Sequence, residues 1–263
     1  MPRLSWTAKD VVAASDEWIW IPDGSREVRT DDYLVVVADE FLPSPTSVFV
    51  TEADVPAAHL VDEIVDVARG FGRSRTWWHL SDATRPLALE PELVRRGAAL
   101  EARMDVLGLP IEAGVPDFAV PPDVEGRRAV DEETVRDSLT VSDEAFGDAA
   151  SPERVAWSLR EVQRGLVDDT VGRVVSYVDG QPAGTGGWTL AGPVCRLWGG
   201  ATRSDLRGRG AYRAALATRL EIARSAGATL GLTHGVVDTS SPILTRLGFV
   251  RYGETRVLIL DAP

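Results

Sequence analysis

The chain has 263 residues, 44% of them hydrophobic, which is enough apolar material for one large domain or two small ones. Its formal net charge of −12 argues against a nucleic-acid partner, because neutralising a phosphate backbone requires surplus lysine and arginine. The single cysteine, Cys195, excludes an intrachain disulfide and is typical of a reducing compartment.

No targeting or membrane-spanning segment is predicted. The first residues lack the apolar core of a signal peptide, and no apolar run approaches the length of a bilayer span. We therefore expect a cytoplasmic protein with no membrane partner. The acidic balance is compatible with a cationic or amine substrate, although acidic surfaces also simply keep proteins soluble.

The first half of the chain predicts alternating strands and helices. β-Branched runs favour strands, and apolar residues at helical spacing after Asp54 favour a helix. In chain order, the predicted elements are strands at 33–38 and 47–50, a helix after Asp54, a strand at 76–80, a helix ending at Gly97 and a strand at 103–109.

A proline-rich stretch at 110–128 has no clear periodicity and indicates a linker. We place one domain at 1–115, the linker at 116–128 and a second domain at 129–263. In the second domain, helices are expected from 130–135 onward and after Ser151, with Ser151 as N-cap and Pro152 in the first turn.

The second half continues with strands and a glycine-rich loop. Strands at 172–178 and 183–190 flank an Asp-Gly turn, and a further apolar run leads to Thr202. Gly208 and Gly210 then precede a helix at 212–224. Glycines at a helix N-terminus let backbone N–H groups converge on an anion, most often a phosphate. The spacing fits neither a Walker loop nor a dinucleotide fingerprint.

The segment 207–212 resembles the pyrophosphate loop of the GCN5-related N-acetyltransferases (GNATs). The family pattern, Arg/Gln-x-x-Gly-x-Gly/Ala, is matched at Arg207 and Gly210, whereas Tyr212 departs from its last position. A second resemblance is the Leu-Gly-Phe that ends a short helix at 240–249, before a final strand at 255–260. The resemblance covers about residues 125–263 and implies the α/β GNAT fold with a mixed sheet.

The first half echoes the second at an offset of 151 residues. Segment 93–97 aligns with 244–248, and segment 103–107 aligns with 254–258, which suggests duplication. Where a cofactor loop is expected in the first half, there is no glycine, and Glu52 and Asp54 would repel a phosphate. We therefore expect two tandem GNAT-like domains, the N-terminal one a degenerate copy that holds no cofactor.

The resemblance implies that the second domain binds acetyl-CoA or another acyl-CoA. Backbone groups of Ala201 and Thr202 would meet the pantetheine arm and the acetyl carbonyl. Tyr212 either joins the loop or packs under the cofactor. The residues expected around the pyrophosphate are Arg207, Gly208, Arg209, Gly210, Ala211 and Tyr212. No metal site is predicted.

Catalytic residues are harder to assign. Many members of the family carry a tyrosine acid four residues before the glycine of Gly-Phe, but that position is Leu244 here. His234 suits a base near neutral pH, and Asp238 is a weaker candidate. A histidine held by backbone groups in a strand is the alternative reading.

Four residues of the predicted helices at 130–165 are candidates for contact with the substrate, because these helices line the acceptor side of the cleft in the family. The alternative is that the two aromatic residues are core and the two acids are solvated. The candidates are Asp143, Glu144, Phe146 and Trp157.

The sequence thus predicts an N-acetyltransferase that moves an acetyl group to a primary amine of a small molecule, by direct attack in a ternary complex. The alternative is a non-catalytic acyl-CoA-binding or regulatory module, as the missing tyrosine would allow. The identity of the amine and the formation of a homodimer stay open.

Overall fold

The computed structural model describes residues 6–147 and 151–262. Among these residues, no helix combines the length and the apolar character that a membrane span requires. The helices are α1 (Ala8–Asp16), α2 (Ala57–Gly70), α3 (Leu89–Arg95), α4 (Glu132–Phe146), α5 (Pro152–Asp168), α6 (Ala211–Ser225) and α7 (Ser240–Arg246). The strands are β1 (Arg26–Arg29), β2 (Tyr33–Val37), β3 (Thr46–Val50), β4 (Arg75–Ser81), β5 (Ala99–Pro110), β6 (Val124–Arg128), β7 (Val171–Val178), β8 (Gln181–Ala191), β9 (Val194–Thr202), β10 (Leu230–Val236) and β11 (Val250–Asp261). The α/β class with mixed strand pairing is confirmed.

The described residues form two compact units that interleave along the chain. The first unit comprises residues 8–107, 234–245 and 251–262, and the second comprises 6–7, 108–233 and 246–250. The domains expected from the sequence, 1–115 and 129–263, are contiguous instead. The difference arises because the last strand of the chain belongs to the first unit.

In the first unit the strands follow the order β1-β2-β3-β4-β11-β5. β1, β2 and β3 are antiparallel neighbours, whereas β3 and β4 are parallel and are connected through α2. The helix α2 packs its apolar stripe on this sheet, with Leu60, Val61 and Ile64 fully buried. This parallel strand–helix–strand arrangement confirms the elements expected between residues 47 and 80.

The C-terminal strand β11 completes the first unit. It runs antiparallel to β4, with Leu258 opposite Trp78 and Leu260 opposite Thr76. Leu258 and Leu260 are buried in the same core as the residues of α2, as the alternation of strand side chains dictates. Hydrophobic burial therefore assigns β11 to the core of the N-terminal half.

In the second unit the order is β10-β9-β8-β7-β6. β9 and β10 are parallel and are connected through α6, and the remaining pairs are antiparallel. The helices α4 and α5 begin as expected, α4 at a capping box on Asp131 and α5 at Ser151, whose side chain accepts a hydrogen bond from the Arg154 N–H.

Part of the predicted linker is a strand. Residues Val124–Arg128 form β6, which pairs antiparallel with β7 along its whole length. Val124 is buried in a cluster with Val178 and Ala214, whereas Glu125 and Arg127 point outward and form an ion pair at 2.6 Å. A short edge strand with charged outward residues has little apolar periodicity. The prolines that precede it therefore led to the prediction of a linker.

The repeat seen in the sequence is confirmed at the level of elements. At an offset of 151 residues, α3 corresponds to α7 in both its bounds, and β5 corresponds to β11 in both its bounds. Each half also contains a parallel strand pair joined by a helix, β3-α2-β4 and β9-α6-β10. The two halves therefore share one succession of helices and strands.

The placement of β11 predicts which neighbouring strand loses protection from hydrogen exchange when a buried side chain of β11 is truncated. Leu258→Ala should lower the free energy of unfolding by about 2–5 kcal/mol, because a fully buried side chain is removed. Hydrogen–deuterium exchange should accelerate in residues 75–81, to which β11 is hydrogen-bonded. The matched variant Leu230→Ala, in β10, should accelerate exchange in residues 194–202 instead. Faster exchange at 194–202 in Leu258→Ala, with none at 75–81, would contradict this assignment.

Candidate functional site

The candidate site of the second unit begins where β9 and β10 stop pairing. The parallel register runs from Val194 opposite Leu230 to Leu197 opposite Thr233. The Thr233 hydroxyl donates a hydrogen bond of 2.9 Å to the carbonyl of Leu197 at the end of this register. Residues 198–202 of β9 pair with β8 on the other side. Within the described residues, the opposite edge of this stretch has no strand partner and is available to a ligand.

A β-bulge lies in the same stretch of β9. The register with β8 passes from Thr185 opposite Ala201 to Gly187 opposite Trp198, so Gly186 faces two residues of β9. Bulges bend a strand and increase its twist, and they commonly lie beside functional sites. This bulge therefore turns the end of β9 away from the line of the regular sheet.

Arg219 of α6 is buried against the bulge and is only 2% exposed. Its guanidinium donates to the carbonyls of Gly187 at 3.2 Å and Trp198 at 3.4 Å, which are opposite one another on one side of the bulge. Burial lowers its pKa, but these carbonyls compensate the lost hydration. A Cβ at Gly186 would lie 2.4 Å from the guanidinium, so this position requires glycine.

After β9 a 3-10 turn at Ser204–Leu206 leads into the loop 207–210 and then into α6. Gly208 and Gly210 have φ angles of 78° and 95°, in the left-handed region that favours glycine. Gly210 is the N-cap of α6, and no side chain caps this helix end. A Cβ at Gly210 would lie 2.4 Å from Pro121 Cδ. The loop thus leads into a helix N-terminus, as the sequence predicted, and no side chain of the described residues caps this end.

Three arginines surround this helix end. The Arg209 side chain forms ion pairs with Asp179 at 3.1 Å and with Asp123 at 3.5 Å. Arg213 donates to the Phe118 carbonyl at 3.2 Å, and its guanidinium comes within 3.4 Å of an ideal Cβ at Gly210. Arg207 is exposed and forms no ion pair with any residue that the structure describes. The Arg207 charge is therefore the one of these three without a protein partner in that part of the chain.

The other expected cofactor residues lie beside the bulge and the loop. Ala201 is buried, and the hydroxyl of Thr202 is buried without a hydrogen-bond partner among the described residues. The Tyr212 ring packs 3.1 Å from an ideal Cβ at Gly200. Burial raises the pKa of the Tyr212 hydroxyl, which accepts a hydrogen bond from Arg219. Tyr212 thus supports the bulge with its side chain, and Ala211 and Tyr212 open the helix with their backbone.

The four predicted substrate-contact residues have different environments. Asp143 pairs with Arg154 at 2.6 Å, both side chains being largely buried. Glu144 accepts hydrogen bonds from the Ser204 N–H and hydroxyl, which lower the pKa of its carboxyl. Phe146 is 55% exposed, and Trp157 is buried. Asp143 and Glu144 thus have protein partners, and a substrate contact for any of the four stays a prediction.

The predicted base belongs to the first unit. The His234 Nε2 lies 2.8 Å from the Ser15 hydroxyl, and its ring centroid lies 4.8 Å from that of Trp18. Asp238 is exposed in the same unit, and Leu244, where the family's tyrosine was sought, is 2% exposed. The structure gathers the loop residues in the second unit, whereas His234 and Asp238 lie in the first.

Sequence reasoning missed several ionisable residues around the site. Glu161 of α5 is buried and Arg173 of β7 is half-buried, and loss of hydration raises the pKa of Glu161 and lowers that of Arg173. The Arg173 guanidinium stacks on the Trp198 ring at 4.7 Å. Helical spacing could have indicated that Arg219 and Glu161 are buried, because each lies on the apolar face of its helix.

Comparisons with known proteins support the fold. No family model matches the chain, and no curated protein sequence matches it. A GCN5-related N-acetyltransferase from Kribbella flavida matches in structure with a TM-score of 0.69 and 20% identity, over 99% of this chain and 97% of that one. One from Sphaerobacter thermophilus gives a TM-score of 0.63 and 14% identity, over 94% and 84%.

A tandem GNAT protein from the clavulanic acid biosynthesis pathway matches with a TM-score of 0.59 and 18% identity, over 96% of this chain and 88% of that one. These matches define the class of structure, which is the GNAT fold. The match to a tandem GNAT protein extends over both halves of the chain, in agreement with the repeated elements.

The role of Arg219 predicts a specific loss of stability. Arg219→Met should lower the free energy of unfolding by about 2–4 kcal/mol, because the buried carbonyls of Gly187 and Trp198 lose a charged donor. Arg224→Met, an exposed arginine on the same helix, should cost less than about 1 kcal/mol. Urea denaturation of both variants measures the difference, and equal effects would show that the bulge does not depend on Arg219.

Proposed function

We propose that the second unit binds acetyl-CoA and that the protein transfers its acetyl group to a primary amine of a small molecule. One observation carries this proposal. An uncapped helix N-terminus, preceded by two glycines in the left-handed region, directly follows a bulged strand that separates from its parallel neighbour. The GNAT fold supports acyl transfer as the chemistry of such a cleft.

The residues present fit a CoA pyrophosphate. The first N–H groups of α6 lack side-chain partners and carry the positive end of the helix dipole, which favours a phosphate. Arg207 adds an unpaired charge within the described part of the chain. The buried Thr202 hydroxyl, which has no protein partner there, and the free edge of residues 198–202 suit the amides of a pantetheine arm.

When bound, acetyl-CoA supplies an acetyl thioester already activated for attack by an amine. The chain's contribution is to hold the two reactants together, which is worth on the order of 7–11 kcal/mol. Burial raises the pKa of the Cys195 thiol to about 12, so a thiolate at Cys195 is disfavoured and direct attack by the amine is favoured over an acyl-enzyme. Leu244 carries no proton, so the departing thiolate takes its proton from water or from another group.

The arginines of the loop provide a matched test of the pyrophosphate site. Arg207→Ala should weaken acetyl-CoA binding about tenfold, because an exposed charge without an ion-pair partner is available to the phosphates. Arg209→Ala should have a smaller effect, since Asp179 and Asp123 already neutralise its side chain. Isothermal titration calorimetry measures both affinities. A larger loss in Arg209→Ala than in Arg207→Ala would contradict this geometry.

The first unit is proposed to hold no cofactor. Its equivalent turn, between β3 and α2, has no glycine, exposes Glu52 and Asp54, and ends at Pro56, which has no N–H to donate. The two carboxylates would repel a pyrophosphate at this helix end. We therefore propose that this half is a degenerate GNAT-like copy.

His234 is proposed as the base that deprotonates the acceptor amine, with Asp238 as the weaker candidate. His234→Ala should lower kcat/KM for acetyl transfer by about 10²-fold or more, since general base catalysis contributes roughly that much. His59→Ala, at an exposed histidine on α2, should leave the rate unchanged. A pH–rate profile of each variant is the measurement. An unchanged rate at every pH in His234→Ala would exclude this role.

A non-catalytic acyl-CoA-binding module is the second candidate. It is favoured by the buried Leu244, which leaves this position without an acid. Incubation with acetyl-CoA and a broad amine panel separates the two functions. Acetylated products support the enzyme, whereas binding of acetyl-CoA without any product supports the binding module.

A further inference from the structure

The first unit contains a cavity of about 230 Å³ that the proposed cofactor site does not use. It lies at the ends of β3 and β4 and beside the segment that follows α1. Its lining residues are largely aromatic, aliphatic or neutral polar. They include Asp16, Trp18, Phe49, His79, His234 and Arg256.

Aromatic rings form one stacked pair and one tilted pair at the wall of this cavity. The rings of Phe49 and His79 are nearly parallel, with centroids 4.6 Å apart, and Trp18 lies against His234 at 4.8 Å. Burial lowers the pKa of His79 to about 4, so this ring is neutral at pH 7. The wall therefore offers aromatic faces without a positive charge from His79.

The charges of the cavity favour a cation. Among the described lining residues, Asp16 is the one acid and Arg256 the one arginine. The Arg256 guanidinium is already held by Glu90 at 3.0 Å and Glu254 at 3.2 Å, with Asp82 at 3.5 Å. The local charge that is left without an opposite partner is therefore negative.

Among the residues that the structure describes, Asp16 has no positively charged partner of this kind. Burial raises the pKa of its carboxyl, the Ser81 hydroxyl donates a hydrogen bond to it, and nearby Asp82 adds further repulsion. A carboxylate taken out of water without a counter-ion is costly, and a ligand cation beside it would remove that cost. Aromatic faces within reach of the same cation would add cation–π attraction.

We propose that this cavity is a binding site for a small organic cation, an ammonium group on an aromatic or branched apolar body. Asp16 receives the ammonium group, and the rings of Trp18 and Phe49 contact the body. The volume suits such a ligand, because a cavity of roughly 150 Å³ already holds a benzene molecule. Binding of this cation requires no acyl-CoA, so it can be measured separately from acyl transfer.

His234 places an imidazole ring beside any ligand that this cavity holds. His234 lines the same cavity and contacts Ser15 there. A primary ammonium bound at Asp16 therefore shares the cavity with the side chain proposed above as a base. A quaternary ammonium ligand has no proton to lose and cannot be acylated, so it tests binding alone.

Calorimetric titration of the full chain with benzyltrimethylammonium, in the absence of acyl-CoA, tests the proposal. We expect saturable binding with a dissociation constant below about 1 mM. Phenylacetate, a similar body with the opposite charge, should bind at least tenfold more weakly. Asp16→Asn should weaken binding of the cation about tenfold or more, whereas Glu17→Gln, an exposed neighbour that does not line the cavity, should leave it unchanged.

Two outcomes would overturn the proposal. The first is no saturable binding of benzyltrimethylammonium up to about 10 mM, a concentration at which even weak sites fill. The second is equal or tighter binding of phenylacetate, which would mean that Arg256 governs the cavity. If Asp16→Asn does not fold, the comparison of the two ligands on the unaltered chain still decides. Because no acyl-CoA is present, failure of acetyl transfer leaves this test intact.

Discussion

The structure of the second unit depends on one buried cation. Arg219 is enclosed between α6 and the sheet, where an unpaired guanidinium would be prohibitively costly. Its charge is compensated by the carbonyls of Gly187 and Trp198, the pair of opposite residues that lies directly beside the bulge. The arginine and the bulge therefore require one another, and together they join α6 to the end of β9.

The contact between Arg219 and the bulge determines which backbone groups at the end of β9 are left without a strand partner. A regular ladder would pair both edges of residues 198–202, and no backbone group would remain for a ligand. The bulge and the end of the β10 register leave one edge without a strand partner in the described chain. The loop that follows β9 then leads into the N-terminus of α6, which no described side chain caps. The proposed anionic cofactor would thus meet local positive charge on a protein whose net charge is −12.

Part of this site could be predicted from the sequence because it depends on interactions between residues close together in the chain. Gly208 and Gly210 predicted a loop before a helix in which backbone N–H groups can converge, and both glycines have φ angles in the left-handed region. The acidic segment 130–135 predicted one helix start and Ser151 as N-cap predicted another, and α4 and α5 begin there. These features depend on residues within one turn of each other, so the sequence contains the information needed to predict them.

Features that depend on distant partners were not predictable in the same way. β6 is a strand because Val124 packs on Val178 and Ala214, and β11 joins the first unit because Leu258 pairs opposite Trp78. The role of Arg219 required knowledge of which carbonyls the bulge leaves free. Periodicity reports which face of an element is buried but not which element covers it.

The most direct test of the account is the stoichiometry of acetyl-CoA binding to the full chain by isothermal titration calorimetry. One molecule per chain is expected, because the second unit has the glycine loop and the uncapped helix, whereas the turn before α2 has Glu52 and Asp54 instead. Two molecules per chain would contradict the proposal that the first unit is degenerate. The absence of any binding would contradict the cofactor site itself.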